Sequence, residues 1–405
     1  MKFTQITEAE YRKFWEKSPQ KSFLSAPEIG QLRKDSPIYY LGVKDNKTIK
    51  AAAMIRGTKR RWGYDYYAPR GILVDYQNLS LLSFFIPKIK KFLQDKGGYI
   101  FRMDPNVQLI ERDIDGNKVQ GGFNNQEIVK NLQSLGFKKS KYIEGVSQVD
   151  WEFVLPVEDK TEESILNDMK SNTRRRLKQA TELGIKIKDL SFDELDSFYD
   201  ILTETAKRKN FETRDLAYFQ KMYQLFEPFH GVEFVSAVIN PRESINKLSK
   251  KLDSAKKSKP KTIKEQKQNN DAIKSLETRI NKLKELFPEA EDKEVVLSSG
   301  MFMTIQPEIL HFLGGNVTAY MKLDGQYVLQ WEMIQRALKN KFKRYNFYGI
   351  PQNINLHPAN YGIYEFKRGF SGHVEQLIGE YELPLSRWYY GNKTLSKVKN
   401  KIKRK

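Results

Sequence analysis

Residues 241–293 constrain the fold more than any other stretch, because they cannot belong to the same packed layers as the rest of the chain. Lys, Glu, Gln and Asn dominate there, and no aromatic residue occurs until Phe287. Ile245, Leu248 and Leu252 follow heptad a/d spacing, as do Ile273, Leu276, Ile280 and Leu283. Pro260 falls between the two runs, where its missing N–H and its ring must end a helix. The pattern predicts an antiparallel coiled-coil helical hairpin projecting from the domain it interrupts. Its Lys/Glu-rich surface serves either solubility, as a rigid spacer, or the gripping of a partner.

On both sides of this segment, strand-like and helix-like pieces alternate. Residues 38–43 and 49–55 read as paired strands around a turn at 44–47, followed by strand character at 64–68 and 71–74. The apolar spacing of 81–93 is helical, with a kink expected at Pro87. A strand at 99–103 ends at Asp104-Pro105, and a helix at 128–135 ends at Gly136, a C-cap residue. The pattern then begins again: a strand at 151–155, one helix at 161–183, a strand at 185–187, helices at 192–209 and 215–226, and a strand at 232–238. Beyond the hairpin, strands are expected at 295–305 and 309–313, a turn at Asp324-Gly325, a helix at 330–339 and a strand at 374–381. The class is mixed α/β (α+β).

The chain has 405 residues, 39% of them hydrophobic and 12% aromatic, enough for two or three domains with ample core. A net charge of +20 calls for acidic partners: nucleic acid, an anionic membrane surface or a phosphorylated substrate. With no cysteine there is no disulfide, thiol catalysis or cysteine metal site, which fits a cytoplasmic protein. No signal-peptide pattern and no membrane-length apolar run occurs, so peripheral membrane association is the most that is expected. His230, His311, His357 and His373 show no metal-ligand spacing, and there is no G-x-S-x-G elbow for a nucleophilic serine.

One stretch carries the chemistry, residues 345–372. An aromatic strand-like run (Tyr345, Phe347, Tyr348) breaks at Gly349 and Pro351, an Asn-rich loop follows, and Phe366-Lys367-Arg368 precede Gly369-Phe370. Taken alone, Lys367 and Arg368 read as two solvated cations. Together with other markers the stretch resembles the FemABX family, the aminoacyl-tRNA-dependent transferases of peptidoglycan bridges. Gln330-Trp331-Glu332-Met333-Ile334, Gly314-Gly315, Arg102-Met103-Asp104-Pro105 and Arg70-Gly71-Ile72-Leu73-Val74-Asp75 are similar to family motifs in the family's order, with Ile72 where the family has proline. The opening Met1–Thr7 run and the hairpin point to the FemA/MurM/MurN branch.

The resemblance implies twin GNAT-like acyltransferase domains, the first at 1–150 plus 382–405, the second at 151–240 plus 294–381, with the hairpin at 241–293. It implies a reaction in which an amine of a stem-peptide lysine, or of a residue already added to it on lipid II, attacks the ester of an aminoacyl-tRNA carrying Ala, Ser or Gly. An ester is already activated, so no cofactor beyond that co-substrate is expected; alignment and oxyanion stabilisation suffice. By resemblance, Lys367 is the cation at the developing oxyanion and Asp104 orients or accepts from the amine, although an Asp before Pro commonly caps a turn. Tyr99 matches a substrate-contacting tyrosine, yet strand alternation puts it on the face opposite Asp104. Arg214 and Tyr218, read as one helical turn apart, match a pair holding the acceptor's phosphates. Phe366 shapes the pocket floor.

Two departures concern the acceptor's headgroup. No aromatic appears at the expected place in residues 24–34, where the family has its phosphate-binding lysine, which leaves Arg33 or Lys34 as the candidate cation, and Leu313 stands where some relatives have tyrosine. Arg174, Arg175 and Arg176 on one helix, and Lys401 and Lys403 in a basic tail, are expected to meet tRNA or the anionic inner leaflet. Oligomeric state is not legible. Two other readings compete. An acetyl-CoA N-acyltransferase of the GNAT class would need a G-x-G/A phosphate loop, and no such spacing exists. A non-enzymatic RNA-binding coiled-coil protein fits the charge but leaves Phe366-Lys367 and Asp104-Pro105 without a role.

Overall fold

The computed structural model describes residues 1–32, 36–143, 147–352 and 358–390. The chain packs as two compact units: Met1–Phe153 with Tyr348–Tyr361 and His373–Lys405, and Val154–Phe347 with Gly362–Gly372. Residues 348–352, 358–361 and 373–381, expected in the second domain, group with the first unit.

The first unit holds a seven-stranded sheet in the order Lys2–Gln5, Ile38–Asp45, Thr48–Arg60, Gly63–Ala68, Gly98–Met103, Tyr381–Pro384, Lys138–Lys139. Neighbours run antiparallel except Gly63–Ala68 and Gly98–Met103, which are parallel. A parallel pair needs a crossover, and the helix Leu79–Asp95 supplies it. Its stripe of Leu82, Phe85, Ile86, Ile89 and Leu93 is buried with Leu41, Val43, Ala53, Ile55, Phe101 and Met103 of the sheet. Pro87 lies on the exposed side of this helix, which runs on through it, because water can satisfy the carbonyl that the proline leaves unbonded.

The second unit repeats the device. Strands Lys186–Asp189, Val232–Ile239, Val295–Ile305 and Glu308–Asn316 pair antiparallel in that order. Glu308–Asn316 then pairs in parallel with Arg344–Gly349 through the crossover helix Gly325–Lys339. That helix begins earlier than expected, so Tyr327 is helical; left-handed Asp324 (φ 62°) turns the chain into it. The long helix expected at 161–183 is two, Glu162–Asp168 and Ser171–Glu182. Met169 and Lys170 adopt extended backbone between them; Met169 is thereby buried, and the Lys170 N–H donates to the Gly369 carbonyl at 3.0 Å. The hairpin consists of helices Pro241–Lys257 and Ile263–Leu286, capped at their starts by Asn240 and Thr262. Leu248, Ile280 and Leu283 are buried among its apolar positions.

Candidate active site

Lys367 lies on the last turn of the helix Pro358–Arg368. It is three residues from Tyr364, so both side chains share a face, and both are buried, with Lys367 only 8% exposed. The turn beyond it is pinned by close packing: a Cβ on Gly369 would collide with the Thr173 hydroxyl. Around this turn the rings of the second unit form a chain of contacts. Phe366 packs edge-on to Tyr327 (4.9 Å) and Phe370 (5.4 Å); Phe370 meets Phe347 (5.2 Å), which packs edge-on to Tyr345 (4.8 Å). Phe366 is thus part of an aromatic wall beside Lys367.

Behind the wall is a histidine that the sequence reading set aside. On the buried strand Arg344–Gly349, Tyr345 donates its hydroxyl to Gln330 Oε1 at 2.6 Å. Gln330 Nε2 then meets His311 Nδ1 at 3.2 Å. With the glutamine's oxygen taken by Tyr345, its amide must donate, so Nδ1 accepts and the imidazole proton sits on Nε2. That nitrogen is buried without a hydrogen-bond partner. Burial first, and the charge of Lys367 second, push His311 down to about 3, so the ring is neutral at any physiological pH. The imidazole stacks on Phe302 at 4.7 Å over a glycine pair, Gly300 opposite Gly314. A Cβ on Gly314 would come within 2.7 Å of Nε2. Gly315 admits a helix instead, since its Cβ would lie 2.5 Å from the Thr205 hydroxyl. Leu313, two residues along, pairs with Met301 and is half-buried; a register shift between Met301 and Phe302 turns it to the face opposite His311.

On the basic helix Ser171–Glu182 the three arginines differ in how far they are engaged within the protein. Arg176 is committed to Asp324 (2.5 Å) and to the Tyr327 hydroxyl (3.0 Å), with its guanidinium 4.7 Å over the Tyr327 ring. Arg174 donates to the Leu166 and Asn167 carbonyls at the end of the preceding helix. Arg175 is exposed and reaches Asn172. Arg214 and Tyr218 are not a helical pair, because the helix starts at Leu216 with Asp215 as its cap. They nevertheless meet, with the exposed Arg214 guanidinium 5.9 Å over the Tyr218 ring.

Asp104 belongs to the other unit and ends its strand in a buried corner. Its Oδ1 accepts from the Tyr67 hydroxyl at 2.5 Å and from the Arg70 N–H at 2.9 Å. The Arg70 guanidinium lies 3.5 Å from Oδ2 and bonds Glu152 (2.6 Å) and the Val149 carbonyl (2.9 Å). Two sequence motifs interlock here. Gly71 is left-handed (φ 83°), a Cβ there would lie 2.8 Å from the Pro105 α-carbon, and the Asn106 N–H returns to the Arg70 carbonyl. Burial raises the Asp104 carboxyl above its usual value, while Arg70 and Tyr67 oppose the rise. Only 4% of its side chain is exposed. Asp104 in this conformation holds the corner together through Oδ1, while Oδ2 is buried with the Arg70 guanidinium nearby but no hydrogen bond of its own. Tyr99 sits at the start of the same strand in a separate cluster with Ile100 and Tyr389, roughly 16 Å from Asp104 at about 3.3 Å per residue. Arg33, Lys34, Lys401 and Lys403 lie outside the described residues. Among the described residues no cluster of His, Asp and Glu could hold a metal ion, and no helix is long and apolar enough to cross a membrane.

Comparison with known proteins covers the whole chain. The FemAB family model matches residues 6–397. Aminoacyltransferase FemB of Staphylococcus epidermidis is 28% identical over 426 aligned positions, covering 100% of both chains. Aminoacyltransferase FemA of Staphylococcus aureus is 26% identical, covering 99% of this chain and 100% of its own. A crystal structure of FemX superimposes with TM-score 0.78 at 22% identity, covering 96% of this chain and 99% of that one. A tandem GNAT protein from the clavulanic acid biosynthesis pathway has TM-score 0.50 at 8% identity, covering 95% and 98%, a likeness of fold alone. The chain therefore belongs to the FemAB family.

Proposed function

We propose that this chain is an aminoacyltransferase that extends a peptidoglycan cross-bridge, moving Gly, Ala or Ser from aminoacyl-tRNA to an amine on lipid II. Family membership along the whole length, with relatives named aminoacyltransferase, supports the class of reaction. The observation that carries the site is a lysine 8% exposed on a turn locked by Gly369 and walled by aromatic rings. An ammonium held away from water stabilises a developing oxyanion far more than a solvated one does.

In this reading the neutral acceptor amine attacks the ester carbonyl. The C–N bond forms and negative charge gathers on the carbonyl oxygen beside Lys367. The ester C–O bond then breaks, and the amine's proton ends on the departing ribose hydroxyl. Ester and amine supply every atom of this exchange, so no cofactor is called for. Arg214 over Tyr218 is the candidate grip for the acceptor's phosphates, since a guanidinium bonds two oxygens at once. Asp104 acts at one remove, by keeping its corner closed. With lipid II in the bilayer, the enzyme works at the cytoplasmic membrane face as a peripheral protein.

The test is to incubate the protein with lipid II and a panel of charged tRNAs and to weigh the product. A gain of one aminoacyl mass with at least one tRNA is expected; none with any tRNA would overturn the proposal. Lys367→Met should lower kcat by about 10² to 10³, as loss of an oxyanion donor does, with tRNA affinity nearly unchanged. Unaltered turnover would remove Lys367 from the chemistry.

A further inference from the structure

The first unit also carries an aromatic and cationic platform built around Trp62 and Trp388. Trp62 and Trp388 stack with centroids 5.0 Å apart and planes 17° from parallel. The Arg61 guanidinium lies over Trp62 at 5.0 Å and that of Arg387 over Trp388 at 5.4 Å. Neither cation can use the face already turned to the other indole, so both faces of both rings are occupied. Trp388 is nonetheless 45% exposed and neighbouring Tyr390 56% exposed, with Lys138 over its ring at 4.8 Å. The platform is rigid at its base. Tyr389 is buried, its hydroxyl bonds Glu382 at 3.0 Å, and Trp62 packs on the cluster of Tyr99, Ile100 and Tyr389. Beyond Tyr390, residues 391–405 hold seven Lys and Arg residues and no acid.

We propose that this platform, Trp62–Trp388 with Arg61, Arg387 and Tyr390, is the seat of the protein on an anionic phospholipid bilayer. Exposed indole and phenol edges ringed by Lys and Arg match the headgroup layer, where amphipathic rings settle among the lipids while cations meet phosphates. Juxtaposed basic segments add attraction to anionic lipid. Single-stranded RNA also binds aromatic and basic surfaces, but it stacks bases on open ring faces, and this pair has none to offer. The inference deepens the peripheral-membrane part of the proposed function and rests on it only for the choice of a membrane as partner.

The experiment is co-sedimentation of the full chain with vesicles of phosphatidylcholine alone and of phosphatidylcholine with phosphatidylglycerol, which contain no lipid II. Binding is expected to the anionic vesicles and to weaken with salt. Trp388→Ala should lower the partition coefficient about tenfold, as loss of one inserted ring does. The double variant Arg61→Gln/Arg387→Gln should lower it by about 30-fold, two cations at the surface. The double variant should melt at the wild-type temperature, both arginines being exposed, and Trp388→Ala, which gives up the stack on Trp62, should remain folded at the assay temperature. No binding of the wild type to anionic vesicles would overturn the proposal, as would variants that bind like the wild type. So would a Trp388→Ala protein that loses affinity for uncharged tRNA while its vesicle binding is unchanged. Transfer assayed with detergent-solubilised lipid II should stay intact in both variants, which separates failure of this inference from failure of the enzymatic reading.

Discussion

A neutral imidazole beside a buried ammonium is an arrangement with a measurable signature. His311 is held down to about 3 by burial and by Lys367, against an ordinary value near 6.5. The unfolded chain therefore binds a proton that the folded chain refuses. Stability from this group is fully present above about pH 6.5 and is lost as pH falls towards 3, at about 1.4 kcal/mol per pH unit. Hydrogen exchange of the strand Glu308–Asn316 at pH 7 and pH 5 should show that loss in the wild type and a smaller one in His311→Phe, which keeps the stack on Phe302. Equal losses would mean that His311 is not held neutral. The residue was within reach of sequence reasoning, since it stands two positions before Leu313 in a predicted strand. It was passed over because the search was for metal spacing, whereas its partners Gln330 and Tyr345 lie 19 residues away and a further 15 beyond.

At the scale of elements, the corner where Gly98–Met103 ends shows how a motif can be right in position and different in duty. Asp104, Arg70, Tyr67 and Glu152 close one buried network. Removing one member leaves charge buried without its partner, at a cost of about 3 kcal/mol or more. Asp104→Ala should thus destabilise the first unit by that amount, whereas Asp104→Asn, which retains an acceptor for Tyr67 and Arg70, should lose less than half as much. If both variants keep wild-type stability in chemical unfolding followed by exchange of that strand, while turnover collapses, Asp104 takes part in chemistry directly. A second lesson at this scale is the split of the helix expected at 161–183. Its apolar period continues across Met169 and Lys170, so the period gave no sign of the break; the break is made by burial of Met169 and by the Lys170 bond to Gly369, almost two hundred residues on.

For the whole molecule, the distribution of chain segments matters more than their number. The strand Tyr381–Pro384 lies between Gly98–Met103 and Lys138–Lys139, so the first sheet is not continuous until nearly the last described residues are in place. A chain ending at Glu380 should leave an unpaired edge along Gly98–Met103 and lose Tyr381, Leu383 and Leu385 from the core. It is expected to aggregate or to lack protected amides in that sheet; a truncated protein with wild-type exchange protection would contradict this.

Element types, the hairpin and the family were legible in the sequence, because periodicity, helix caps and glycine spacing are local quantities that a few neighbouring residues settle. The same locality pointed to Lys367 and to the corner at Asp104. Which charged groups remain available was decided by tertiary structure alone. Arg176 pairs with Asp324 across 148 positions, and Arg70 with Glu152 across 82. A polar group's behaviour is set by the dielectric and the partners around it, and those are gathered from distant parts of the chain only when it folds.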